Sequence, residues 1–206
     1  MNRLRSISVP TLVLLALAAV SLGAAAAGTV AAAGPATLSK TSAGWQLKLS
    51  AQMYQALIAY NPRLRVLTAK SFVPSLITQY KFSTRESPWA VLGDFTGDGK
   101  QDLVFLTHVD DTVLLLSAIA EGKGYRVAEL SRIRDGLNDT IEVAPGKIEQ
   151  GVWNFLRVQP KGVVFSALDQ MEVDLKTEGV RFEYWKMSAE ILFWDSGHLR
   201  RLRIKP

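Results

Sequence analysis

The chain has 206 residues, 24 Lys and Arg against 19 Asp and Glu, no cysteine, and 48% hydrophobic residues. These counts exclude a disordered chain, a disulfide-stapled miniprotein, a cysteine-ligated zinc or iron–sulfur site and a cysteine nucleophile. The charge is unevenly placed: no ionisable side chain lies between Arg5 and Lys40, and every acid follows that gap.

The first element is a short basic start, Arg3 and Arg5, followed by the unbroken apolar run Leu12 to Val20 and then Ala- and Gly-rich sequence. Basic, apolar and small-residue regions in that order read as a secretory signal peptide over residues 1–27, cleaved near Ala27. The apolar run falls short of the about 20 residues that span a bilayer, and an uncleaved N-terminal anchor is the alternative. No cysteine follows the run, which excludes a lipoprotein anchor, and Arg3-Leu4-Arg5 is not a twin-arginine pair. Cleavage leaves about 179 residues, enough for one domain, and lowers the net charge to about +3. The expected location is export to a bacterial periplasm or exterior, with no stable membrane insertion after cleavage. Residues 28–44 read as a flexible lead-in and residues 45–206 as a single domain.

Ser50 can cap a helix that runs to about Tyr60, with Met53/Leu57 and Tyr54/Ile58 at i, i+4 spacing, and Asn61-Pro62 ends it. A shorter helix is expected from Ser71 to Tyr80, with Pro74 tolerated in its first turn. From Trp89 onward, short runs of Val, Leu, Ile and aromatics alternate with Gly and Asp turns. Strands are expected near Trp89–Asp94, Asp102–His108, Thr112–Ala120, Tyr125–Ile133, Val163–Asp169, Val180–Lys186, Ala189–Trp194 and Leu199–Ile204. The stretch from Asp135 to Gln159 gives no clear signal. Helices first and strands afterwards indicate an α+β fold, two N-terminal helices packed on a mostly antiparallel sheet.

The sharpest motif is Gly93-Asp94-Phe95-Thr96-Gly97-Asp98-Gly99-Lys100-Gln101-Asp102. Oxygen-bearing side chains fall at loop positions one, three, five and nine: Asp94, Thr96, Asp98 and Asp102. A hard cation such as Ca²⁺ needs six to eight oxygens, and a tight loop turning at glycines can aim alternate side chains at one centre, with the Lys100 carbonyl as a further ligand. It is not an EF-hand, because position twelve is Phe105 in a strand instead of a bidentate Glu. The alternative is an Asp/Gly hairpin turn with solvated carboxylates. Thr96 offers a neutral hydroxyl where an amide or carboxylate is preferred, which points to affinity near the weak, about 10⁻⁴–10⁻³ M, end of extracellular sites.

At these residues the chain resembles the FG-GAP or VCBS-type loop of integrin-like proteins, GDFNGDG followed two residues later by Asp, with Thr96 for the Asn. The resemblance implies Ca²⁺ on Asp94, Thr96, Asp98, the Lys100 carbonyl and Asp102. Those folds are usually propellers of several copies. One copy in about 179 residues argues against a full β-propeller. The chain also resembles small secreted bacterial proteins with a single such loop, a group without an assigned activity. Their other marks are matched here by Tyr60-Asn61-Pro62, Phe72-Val73-Pro74 and Phe193-Trp194-Asp195-Ser196-Gly197.

Other groupings carry less. His108 beside Asp110 and Asp111 could be a base with its orienting carboxylate, but no nucleophile motif accompanies it. Asp110, Asp111, Glu172 and Glu183 leave paired-carboxylate hydrolysis open. The basic end, Arg200, Arg201, Arg203 and Lys205, reads as a charge-protected edge strand with Leu202 and Ile204 turned inward. No nucleic-acid partner is expected. The leading expectation is an exported, non-enzymatic calcium-binding module whose partner is a cell-envelope polymer or another protein. The alternatives are a cell-envelope hydrolase with the ion as scaffold, and an adhesion or assembly module acting through the sheet face or the basic C-terminus, which needs an exposed apolar-aromatic patch.

Overall fold

The computed structural model describes residues 34–204 apart from 43, 167 and 169. The expected signal peptide lies outside the described residues. Among those described, no helix is long and apolar enough to cross a membrane. Part of the expected lead-in is ordered: β1 (Thr37–Thr41) pairs with β2 (Gly44–Lys48) as an antiparallel hairpin.

Helix α1 (Ala51–Tyr60) forms as expected. The Ser50 side chain accepts a hydrogen bond from the Met53 amide, Met53 and Leu57 are buried one turn apart, and Asn61 ends the helix. After β3 (Arg65–Val66) and a single tight turn at Ala69–Ser71 comes α2 (Pro74–Gln79). The strands that follow are β4 (Glu86–Ser87), β5 (Ala90–Gly93), β6 (Asp102–Val109), β7 (Thr112–Glu121), β8 (Gly124–Ile133), β9 (Thr140–Ala144), β10 (Lys147–Gln150), β11 (Asn154–Gln159), β12 (Gly162–Ser166), β13 (Met171–Leu175), β14 (Gly179–Tyr184), β15 (Ser188–Asp195) and β16 (His198–Ile204).

The expected α+β class is overturned: the described residues are mostly β, 57% strand and 11% helical, and among them are two α-helices of which one exceeds six residues. The second helix expected from Ser71 fails at its start for a tertiary reason. Phe72 is extended and makes an isolated parallel bridge to Val152, and the Val73 amide donates to the Val152 carbonyl, so this segment is held extended and α2 begins only at Pro74. All eight expected strands are present, joined by others at β1, β2, β3, β4, β9, β10, β11 and β13.

The strands build two main antiparallel sheets. One runs β4-β5-β6-β7-β8 with β3 beside β6, and the other runs β11-β14-β15-β16. They form a sandwich bridged at both margins. At one margin the Leu156 amide donates to the Pro88 carbonyl, and Val158 N–H donates to the buried Glu86 carboxylate. At the other the Arg201 guanidinium on β16 donates to the Leu130 carbonyl on β8.

The register explains the core. Leu156, Phe182 and Leu192 share the inner face of the second sheet and join a cluster with β6 and β7, whose residues are buried on both faces. Ile191, Leu202, Ala189 and Ile204 share its outer face, where β12 and β13 cover them with Val164, Val173 and Leu175. Burying such side chains contributes about 1.5–3 kcal/mol each. As expected, Leu202 and Ile204 turn inward while Arg200, Arg201 and Arg203 are exposed on the edge strand.

Candidate metal centre

Strands β5 and β6 pair from Ala90↔Phe105 to Gly93↔Asp102, and the aspartate-rich loop closes between them. Gly97 and Gly99 both have φ +78°, where an L side chain is strained, and a Cβ on Gly97 would lie 2.7 Å from Thr177 Cγ2. The loop is seated by Phe95. Its ring is fully buried and stacks on Trp194 of β15, 6.1 Å between centroids, and its carbonyl accepts from the Thr177 hydroxyl at 2.9 Å. One loop therefore contacts both sheets.

The three carboxylates have different surroundings. Asp94 accepts three loop amides: Gly97 at 2.7 Å and Asp98 at 3.1 Å on Oδ1, and Gly99 at 2.9 Å on Oδ2. Asp98 accepts the Lys100 amide at 2.9 Å on Oδ1, while the Lys100 ammonium lies 3.5 Å from its Oδ2 and donates to the Gly122 carbonyl. Asp102 is fully buried. Its Oδ2 accepts the Phe95 amide at 2.9 Å, the Thr96 amide at 3.3 Å and the Thr96 hydroxyl at 3.4 Å, and its Oδ1 accepts the Ala120 amide from β7 at 2.8 Å. Burial pushes the Asp102 carboxyl above its usual range, and the amide bonds act against that.

An ionised carboxylate has about four lone-pair sites. Asp102 is the most heavily used, with three donors on Oδ2 and one on Oδ1, so that one acceptor site remains on Oδ1, and Thr96 donates its hydroxyl hydrogen to Asp102 while its own lone pairs stay free. Asp94 keeps one site and Asp98 keeps more, both in a loop whose tip is exposed. The acceptor capacity left at the exposed part of the loop is that of Asp94, Asp98 and the Lys100 carbonyl, while Asp102 is buried. Among the described residues no three His, Cys, Asp or Glu side chains are grouped so as to hold a metal ion.

A cleft of about 410 Å³ adjoins the loop, walled by Asp94, Lys100, Gln101, Arg85, Thr84 and Thr37 among others, and neither described histidine lines it. Arg85 is not free within it, because Glu178 clamps its guanidinium through two hydrogen bonds of 2.8 Å. The His108–Asp110 pairing does not form. His108 Nδ1 contacts the Asp110 carbonyl, and the Asp110 carboxylate takes Arg63. Asp110 and Asp111 share the β6–β7 turn, while Glu172 lies on β13 and Glu183 on β14. Glu183 pairs with Arg181, and burial raises its carboxyl.

Phe95, Thr177 and the Ala120 amide are the residues that sequence spacing did not single out. Phe95 was in plain view as an apolar residue inside a polar loop; the other two come from distant segments with no signal of their own. No protein-family model, curated protein or solved structure matches the chain.

Proposed function

We propose that the chain is an exported, non-enzymatic binding or structural module whose loop takes Ca²⁺ and so stabilises the β5–loop–β6 unit. The observation that carries this reading is the unused acceptor capacity of Asp94 and Asp98 in an exposed loop already shaped by amide bonds and two left-handed glycines. Asp94, Asp98 and the Lys100 carbonyl would hold the ion, and water would fill the remaining positions. So few protein ligands accord with weak affinity. The partner classes this leaves are a cell-envelope polymer or another protein.

The test is thermal unfolding in calcium and in chelator. For a dissociation constant near 1 mM, about 10 mM Ca²⁺ adds about 1.4 kcal/mol and raises the midpoint by about 3–6 °C. Asp98→Ala should abolish that shift. An equal midpoint in calcium and chelator for the native chain removes the reading.

A second reading has its own observation. The Lys100 ammonium lies 3.5 Å from Asp98 and 3.2 Å from the Gly122 carbonyl, an internal cation tying the loop to the β7–β8 turn without a metal. Lys100→Met separates the two. Metal binding predicts a larger calcium shift once the competing charge is gone, whereas a metal-free clamp predicts a lower midpoint that calcium does not restore.

A further inference from the structure

The cleft beside the aspartate loop is built from the start of β1, the residues before β4, and β5 with its loop. At about 410 Å³ it lies in the range of small-molecule sites. Its lining is of two kinds. Ala36 and Leu92 are buried, at 2% and 5% exposure, and Leu38 is half-buried beside them, an apolar wall. The polar lining includes the exposed Thr37 and Thr84 and the half-buried Asp94 and Gln101.

The charges at the cleft are already matched within the protein. Glu178 holds Arg85 through two hydrogen bonds of 2.8 Å, Asp98 lies 3.5 Å from the Lys100 ammonium, and Asp94 accepts three loop amides. A charged ligand competes with these partners; a neutral one leaves them in place. Gln101 is the group left unmatched. Its Oε1 is shielded from solvent and meets no donor. A buried polar atom without a partner is costly, and the few that persist call for an explanation. The last side-chain bond of a glutamine turns in a broad, roughly two-fold well, so a rotation there presents both ends of the amide to the cleft. The group that satisfies the donor and the acceptor of one amide together is a second amide.

We propose that this cleft takes an N-acetylated sugar residue of a cell-envelope polymer. The acetamido N–H donates to Gln101 Oε1 and its carbonyl accepts from Gln101 Nε2. The acetyl methyl rests on Leu38, Leu92 and Ala36. Sugar hydroxyls, each able to donate and to accept, meet the Thr37 and Thr84 hydroxyls and the acceptor site that Asp94 keeps. A peptide carries amides as well, but lacks the hydroxyls that suit this polar lining. The proposal deepens the reading of an envelope polymer as partner and rests on it; it does not need calcium.

NMR titration of the isotope-labelled full chain with N-acetylglucosamine, in chelator, tests it. A single sugar residue of this size binds with a dissociation constant on the order of 1 mM. The expected result is a saturable shift of the Gln101 side-chain amide and of the Thr84 and Leu92 backbone amides. Glucose, which lacks the acetamido group, and N-acetylalanine methylamide, which lacks the hydroxyls, should each bind about tenfold more weakly. Gln101→Leu should weaken N-acetylglucosamine by about tenfold with an unchanged unfolding midpoint. Thr84→Trp, which crowds the cleft from an exposed position outside the loop, should abolish binding. No saturable shift up to about 20 mM overturns the proposal. So does a Gln101→Leu or Thr84→Trp variant that binds as the native chain does. Equal affinity for glucose removes the amide pairing, and equal affinity for N-acetylalanine methylamide assigns the cleft to peptides instead. Because the titration is run without calcium, its failure leaves the calcium-dependent unfolding shift standing, and loss of that shift leaves the sugar result standing.

Discussion

Two phenylalanines in two hairpins show how differently this fold uses the same side chain. Phe95, in the β5–β6 loop, is fully buried against Trp194 of the opposite sheet, whereas Phe165, on β12, is 58% exposed. The β5–β6 hairpin is fixed from inside by that ring and by Asp102; the β12–β13 hairpin buries one face and leaves the other to solvent. A polar, glycine-rich loop is thus the rigid feature, and a run of Val and Phe the available one. Hydrophobicity of a segment does not decide which hairpin is anchored. The direction of one ring does.

The largest expected effect breaks that comparison directly. Phe95→Ala should cost about 4 kcal/mol in urea unfolding, the usual range for emptying a core aromatic site. Phe165→Ala should stay within about 0.5 kcal/mol, as for a surface change. Equal losses would mean that the two hairpins are anchored alike. Next in size is Asp102→Ala, at about 3 kcal/mol. It orphans the amides of Phe95, Thr96 and Ala120 at once, partly offset by removing a buried charge. Asp102→Asn keeps one acceptor and should lose less. Both Asp102 variants should retain the calcium shift expected of the native loop, because Asp102 is fully buried and held by four protein donors, whereas Asp98 and Lys100 are exposed. Loss of the shift in Asp102→Asn, with the fold intact, would place Asp102 among the ligands after all.

Much of this was legible in the sequence, and the reasons are local. Ser50 as a cap, Asn61-Pro62 as a stop, and the alternation between Asp and Gly turns located α1 and eight strands. The class was misread because short polar strands have little local signature. β1 is Thr-Leu-Ser-Lys-Thr, with one apolar residue; β13, Met-Glu-Val-Asp-Leu, alternates strictly but is only five residues long. Strands β9 and β10 did carry a signal, Ile141 and Val143 before Pro145-Gly146, which the surrounding charges obscured. In the loop, spacing identified the right aspartates but not their targets. Which donor Asp102 meets is set by Ala120, 18 residues on and in another strand, and no local pattern encodes that. The same holds for the expected helix from Ser71, whose first residues are taken by Val152.

The β9–β10 hairpin sharpens the contrast, because it is tied down by charge instead of by a ring. Glu149 on β10 accepts the Ser75 amide at 2.8 Å and the Ser75 hydroxyl at 2.7 Å, and pairs with Lys147 at 2.6 Å. The Lys147 ammonium first, and then the two Ser75 donors, hold its carboxyl down at about 2, from an ordinary 4.5. An acid whose folded value is depressed stabilises the fold fully above its unfolded value and loses that contribution as pH falls toward the folded one. The tether should therefore be complete above about pH 4.5 and fade between there and about pH 2. Glu149→Gln should lower the unfolding midpoint at pH 7, with the difference from the native chain shrinking steadily below about pH 4.5. Amide exchange of β9 and β10 should rise in that variant, while β5 and β6, anchored by Phe95, keep their protection. Parallel midpoint curves from pH 7 to pH 3 would show that the carboxylate does not anchor this hairpin, and that its apolar contacts through Ile141 and Val143 suffice.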